Sequence, residues 1–362
     1  MVFKTTCISP ILPHVHFRGK EYPHHNFLQI GFDNAMKVKA AAVLEMPNPN
    51  PNLIDENSVK ARLEESKQYR GDIYHGFHMG LTNDLEQCKN AFRLANERRS
   101  NIVGVKAFWV HSTGNMGILD YERQKDIWKA AKDVEFKGVF FQHCQDESMF
   151  RGRYIFDSPI THSHYQTKWS ELYSLMTQVR NARDSGFEGI FYAAHVSTPE
   201  GIEFLNDEKH RRHPFEIIIE TTGHHEFLNY RDYLIHGNGV KMNPALRERR
   251  DQIKVLEYVI NGMTDIAGDD HAAHPSKLKI NPPAGKEPPS GIPAIPFLPK
   301  RIETWRSLGM PEKQVERLLF HTANRIFGLG LSSRQVTIEY SPSDFDPYGY
   351  NPFSRVYNTQ QS

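Results

Sequence analysis

Cysteine is scarce in this chain. The 362 residues hold three, Cys7, Cys88 and Cys144, at spacings that make neither a disulfide framework nor a zinc knuckle. They read as reduced thiols of a cytoplasmic protein. Long apolar runs are absent too: nothing approaches the roughly 20 residues of a membrane span, and the first seven residues lack the apolar core and cleavage site of a secretory signal. Neither sign of charge prevails, with 44 Lys and Arg against 43 Asp and Glu, so nothing favours nucleic acid or an anionic membrane as partner. A small-molecule substrate is the expectation that remains. Internal repeats and domain linkers are also missing.

What the chain does have is alternation. Apolar, strand-like runs at 40–44, 73–78, 102–108, 138–143, 189–195, 215–220 and 265–268 are separated by helical patterns at 54–69, 84–99, 121–134, 169–185, 199–205 and 246–260. Asn83 is the expected N-cap of the second of these helices. The pattern implies right-handed βαβ units and a parallel sheet, and about eight such units close into an α/β, (β/α)8 TIM-type barrel. Residues 1–330 are expected to form that single barrel, without a substantial N-terminal β-sandwich. Residues 331–362 are expected to be a C-terminal extension lying on the barrel or on a neighbouring subunit. The one low-complexity stretch, 281–291, is too proline-rich for helix or strand and is expected as a loop over the barrel mouth.

Chemistry concentrates where those strands end. His14 and His16, in Pro13-His14-Val15-His16-Phe17-Arg18-Gly19, are two apart, so on a strand they point to one face and can share a metal. Taken alone, such a pair is more often two histidines satisfied by hydrogen bonds. His143, His195 and Asp270 alter that balance, because they also fall at the carboxyl ends of strand-like runs, where barrel enzymes keep their catalytic groups. Lys106 sits on the apolar run 103–108, where an unpaired ammonium is costly. A buried ion pair is one solution; carbamylation by carbon dioxide, which makes the amine a carboxylate able to bridge two cations, is the other. The set points to a metal-dependent hydrolase.

These residues resemble the dihydroorotases of the amidohydrolase superfamily, from His14 to about residue 328. The resemblance rests on motifs in order: His14-Val15-His16-Phe17-Arg18, Met46-Pro47-Asn48, the strand ending in Lys106, His143, His195-Val196-Ser197, His224-His225, Lys241-Met242-Asn243-Pro244-Ala245-Leu246-Arg247 and Asp270-His271-Ala272-Ala273-His274. It implies two zinc ions, one held by His14, His16 and Asp270 and the other by His143 and His195, bridged by carbamylated Lys106. Asp270 is implied as the acid and base. The implied reaction is the reversible cyclisation of N-carbamoyl-L-aspartate to L-dihydroorotate, the ring-closing step of pyrimidine synthesis. Arg18 offers a fork of donors suited to a carboxylate, which dihydroorotate carries and hydantoin or allantoin lacks. By resemblance, Asn48 and His274 complete that pocket, Asn243 contacts the ring, His224 and His225 support the metal ligands, and the subunits form a homodimer.

The sequence also departs from the family. Leu12 stands where an acidic residue precedes the first histidine, Gln145 where one often follows His143, Ala273 replaces proline, and Asp269 puts a second carboxylate beside Asp270. Two alternatives stay open: another cyclic-amide hydrolase of hydantoinase or allantoinase type, and an inactive structural partner of a pyrimidine enzyme, for which a degraded ligand set is expected. His24, His25, His162 and His164 read as surface residues. Residues 111–117 read as a loop that closes over substrate or as an ordinary solvated loop.

Overall fold

A computed structural model describes residues 2–111, 115–341, 344, 348–350, 352 and 353. Nine parallel strands form one curled sheet: β2 (Ile11–His16), β3 (Ala42–Glu45), β4 (Tyr74–Gly80), β5 (Ile102–Phe108), β6 (Val139–His143), β7 (Ile190–Ala193), β8 (Glu216–Thr222), β9 (Ile266–Gly268) and β10 (His271–Ala272). Each of β2 to β8 pairs with the next in sequence, as short right-handed crossovers require. β9 pairs with β8, whereas β10 pairs with β2. Only Asp269 and Asp270 separate β9 from β10, so the segment from Ile266 to Ala272 joins the two edges of the curled sheet.

Local signals set the helices that cover it. Asp84 accepts hydrogen bonds from the backbone N–H groups of Glu86 and Gln87 and caps the helix Leu85–Asn96. The sequence reading placed this cap at Asn83, one residue early, where two capping side chains stand in tandem and only hydrogen bonding decides. Asp120 caps Tyr121–Asp133, and Thr198 with Pro199 behind it starts Pro199–Lys209. The helix expected from 246 begins at Arg249, because the preceding residues serve the site as loop.

Two apolar layers hold the sheet. One lies between strands and helices, with Trp128 packed on Phe140 and Phe191. The other fills the curl, where Phe141 stacks on Tyr192 with ring centroids 4.0 Å apart. A feature absent from the sequence reading joins the two ends of the described chain: β1 (Phe3–Ile8) pairs antiparallel with β11 (Gln335–Tyr340). Farther along, Tyr348 and Tyr350 pack with Phe27 and Ala273, and Phe353 stacks on Phe297, so the described part of the C-terminal segment lies on the barrel. Residues 112–114 of the loop expected near the mouth, and 342, 343, 345–347, 351 and 354–362 of the tail, lie outside the described residues.

Candidate metal centre and substrate pocket

Nine of the expected site residues line one cavity at the carboxyl ends of the strands: His14, His16, Arg18, Asn48, Lys106, His143, His195, Asn243 and Asp270. His14 and His16 end β2, and their Nε2 atoms lie 3.3 and 3.1 Å from Asp270 Oδ1. One ligand atom from each of the three lies within 4.8 Å of the others, all three residues being buried. Opposite them, His143 Nδ1 and His195 Nε2 are 3.0 Å apart. His195 and Asp270 both take positive φ, 35° and 43°, at the points where their strands stop, a backbone state uncommon outside glycine that clusters at functional positions.

Hydrogen bonds turn each ring. His16 Nδ1 lies 2.5 Å from Asn48 Oδ1, and His14 Nδ1 lies 3.0 Å from Glu220 Oε2, so both protons face away from Asp270 and leave Nε2 as the free donor atom. Glu220 also accepts the backbone N–H of His195 at 2.8 Å. Sequence reasoning missed Glu220, which lies within β8 after three isoleucines, as Lys106 lies within the apolar β5. The available signal was a carboxylate directly after that apolar run. Asn48 therefore lines the cavity with its oxygen committed to His16 rather than wholly to a ligand.

Lys106 Nζ has no hydrogen-bond partner among the described residues and sits 4.3 Å from the centre of the Phe141 ring. Burial lowers its pKa to about 8, against the opposing pull of Glu220 and Asp270. The ion-pair alternative for Lys106 thus finds no close carboxylate. Asp270 is held well below the ordinary carboxylate range: burial pushes it up, but His14, His16 and His195 outweigh that. Burial, with Glu220 and Asp270 adding to it against Arg301, raises neighbouring Asp269 to about 7. His224 Nε2 stands 3.9 Å from Asp270 Oδ2, while His225 is tied to Thr222 and the Pro244 carbonyl.

Arg18 is buried, and its Nε and Nη1 have no partner among the described residues. Its Nη2 meets His274 Nε2 at 3.3 Å. That nitrogen lies 2.7 Å from the Ser290 carbonyl, which only accepts, so it carries a proton itself and cannot satisfy the guanidinium. Tyr22 meets the other ring nitrogen at 2.8 Å. His274 thus stands behind Arg18 rather than on the cavity wall. The proline-rich stretch does lie over the mouth: Lys241 Nζ donates to Glu287, Pro288 O and Ser290, Lys279 Nζ donates to Pro289 O, and Ser290 and Gly291 line the cavity. His162, expected on the surface, is buried against the Tyr233 hydroxyl at 2.8 Å, because the crossover carrying it folds inward over the site; His24, His25 and His164 are exposed.

No family model matches the chain. A dihydroorotase of Methanosarcina mazei is 26% identical over 355 residues, covering 94% of this chain and 74% of that protein. A Listeria innocua dihydroorotase is 26% identical over 276 residues, and there the chain spans 61% of the relative's length. Among solved structures, an L-hydantoinase of Arthrobacter aurescens aligns with TM-score 0.73 at 16% identity over 90% of this chain and 72% of that one. A Campylobacter jejuni dihydroorotase aligns with TM-score 0.67 at 16% identity over 93% and 88%. The chain is therefore similar in sequence to dihydroorotases. In fold it is similar to hydantoinases and dihydroorotases of known structure.

Proposed function

We propose that this chain is a dihydroorotase, interconverting N-carbamoyl-L-aspartate and L-dihydroorotate. The observation that carries this reading is Arg18, a buried guanidinium that lines the cavity and forms no ion pair with a carboxylate among the described residues. A carboxylate-bearing ring supplies the missing charge, and a bidentate pair fixes its orientation. Support for the wider site comes from the donor set. Three convergent groups at His14, His16 and Asp270, and the paired nitrogens of His143 and His195, suit two zinc ions, with Lys106 as the residue to be carbamylated between them. An amine of lowered basicity without a partner is well disposed to add to carbon dioxide. Bound zinc would polarise the ring carbonyl and acidify a water.

In this reading Arg18, Asn48, Asn243 and His274 bind and orient the substrate, with His274 acting through Arg18. Asp270 holds the proton given up by the attacking water and passes it to the departing ring nitrogen; cyclisation runs the same path backwards. The barrel is read as a (β/α)8 unit over 1–330 with an extension over 331–362. Three buried, unpaired cysteines suit a cytoplasmic protein. A hydantoinase-like activity is the second reading, favoured by the hydantoinase fold matches, but a neutral ring leaves Arg18 buried without a counter-charge.

The test is ultraviolet-monitored ring opening of L-dihydroorotate, against hydantoin, by protein reconstituted with zinc and bicarbonate. Turnover of dihydroorotate that disappears in Lys106→Ala is the expected result. Turnover of hydantoin alone would hand the site to the second reading.

A further inference from the structure

Three side-chain amides, those of buried Gln145 and Gln166 and of half-buried Asn243, link the His143 side of the metal centre to the substrate wall, and one backbone group fixes which way all of them point. His143 Nε2 lies 2.8 Å from Gln145 Oε1; Gln145 Nε2 lies 3.3 Å from Gln166 Oε1; Gln166 Nε2 lies 3.0 Å from Asn243 Oδ1. An amide that is alone in such a chain could be flipped without changing its outline. Here the backbone N–H of Ala245, which can only donate, reaches Gln166 Oε1 at 3.1 Å. That contact requires oxygen at this end of Gln166 and nitrogen at the other, so Asn243 must receive with its oxygen.

We infer that Gln145 and Gln166 are positioning residues that orient the site from both ends. Toward the metal centre, the oxygen of Gln145 holds the proton of His143 on Nε2 and leaves Nδ1, 3.0 Å from His195 Nε2, as the ligand atom. Toward the substrate, Gln166 holds the Asn243 oxygen and turns its NH2 group to the cavity. Asn243 therefore selects a ligand with a carbonyl oxygen at that point, rather than a ring N–H. The departure at Gln145 acquires a reason: a carboxylate there could accept from His143 but could not donate onward to Gln166.

The substrate half of this inference rests on the dihydroorotase reading; the metal half does not. Zinc titration of the apo protein by calorimetry, with three variants, separates them. Gln145→Leu is expected to weaken one of two zinc-binding events by about tenfold or more, whereas Gln145→Glu, which still accepts from His143, retains both. Gln166→Glu accepts from Ala245 and Gln145 as before but forces Asn243 to donate to it, presenting oxygen to the cavity. It is expected to bind zinc as the wild type does and to raise KM for L-dihydroorotate about tenfold with kcat little changed. Equal zinc loss in Gln145→Leu and Gln145→Glu, no loss in either, or an unchanged KM in Gln166→Glu overturns the inference. Wild-type protein that binds two zinc ions yet leaves dihydroorotate untouched refutes the substrate reading, while the two Gln145 variants still decide the metal half.

Discussion

Arg18 is held to its place by burial, and donors of its guanidinium that no described residue meets are available to the cavity it lines. Charge-assisted hydrogen bonds of this kind are each worth about 1.5–3 kcal/mol. Arg18→Ala is therefore expected to raise KM for L-dihydroorotate by roughly ten- to a hundredfold, with a much smaller effect on any residual turnover of hydantoin. Steady-state kinetics on the two substrates checks it; equal losses on both would mean that Arg18 serves structure alone. At this scale the sequence was informative where chemistry repeats locally. His14 and His16 share a strand face, and Lys106, His143, His195 and Asp270 each end an apolar run. Glu220 and Gln166 were not legible as parts of the site, because their partners are set by the curl of the sheet: His14 and Glu220 are 206 positions apart. Gln145 stood out only as a departure two residues after His143, with no sign of its onward partner Gln166.

Strand ends do more than carry ligands. Glu45, the last residue of β3, is buried and accepts from the Arg62 guanidinium at 2.7 Å and meets His75 Nε2 at 3.0 Å. Arg62 passes on to the carbonyls of Phe17 and Arg18, so this cluster anchors the loop that carries the substrate arginine. Burial pushes the Glu45 carboxyl up, but Arg62 and His75 outweigh it and hold it below the ordinary 4.5. A value lowered by folding gives stability that is present above the unfolded value and is lost as pH falls through the folded one. Thermal unfolding of the wild type should therefore fall off below about pH 4.5. Glu45→Gln is expected to cost roughly 3–5 kcal/mol near neutrality by leaving Arg62 uncompensated, and to flatten that acid dependence. A melting series from neutral to acid pH on both proteins checks it. On β9, a Cβ on Gly268 would lie 1.9 Å from Glu220 Oε1. Gly268→Ala must displace the carboxylate that turns His14, so zinc retention during dialysis against a chelator should drop even where circular dichroism stays native. Strand positions were readable because β-branched and aromatic runs are buried on both faces; the break between β9 and β10 was not, since it is made by pairing to two different edges.

For the molecule as a whole, the parallel sheet was evident from alternation, and the pairing of β1 with β11 was not. β1 reads as an unremarkable polar stretch, and only its partner β11, more than three hundred residues on, makes it a strand. The C-terminal segment is likewise silent until it folds back. Tyr348 hydrogen-bonds His271 Nε2 at 3.0 Å, immediately after Asp270, and Phe353 stacks on Phe297 with centroids 3.9 Å apart. Phe353→Ala is expected to lower stability by roughly 3–5 kcal/mol, as for a buried aromatic in the core, measured by urea unfolding. A change under about 1 kcal/mol would show the tail to be only loosely docked.

The seam between β9 and β10 couples order to chemistry. Asp270 occupies the two-residue gap through which one short segment reaches both edges of the sheet, with Arg301 clasping the Gly268 carbonyl beside it. Any breathing that parts those edges removes the proposed proton carrier from His14 and His16 at the same instant. Such a molecule has its fuse wired into its closure: on gentle heating, catalysis should fail while most helices are still intact, and cooling should restore it.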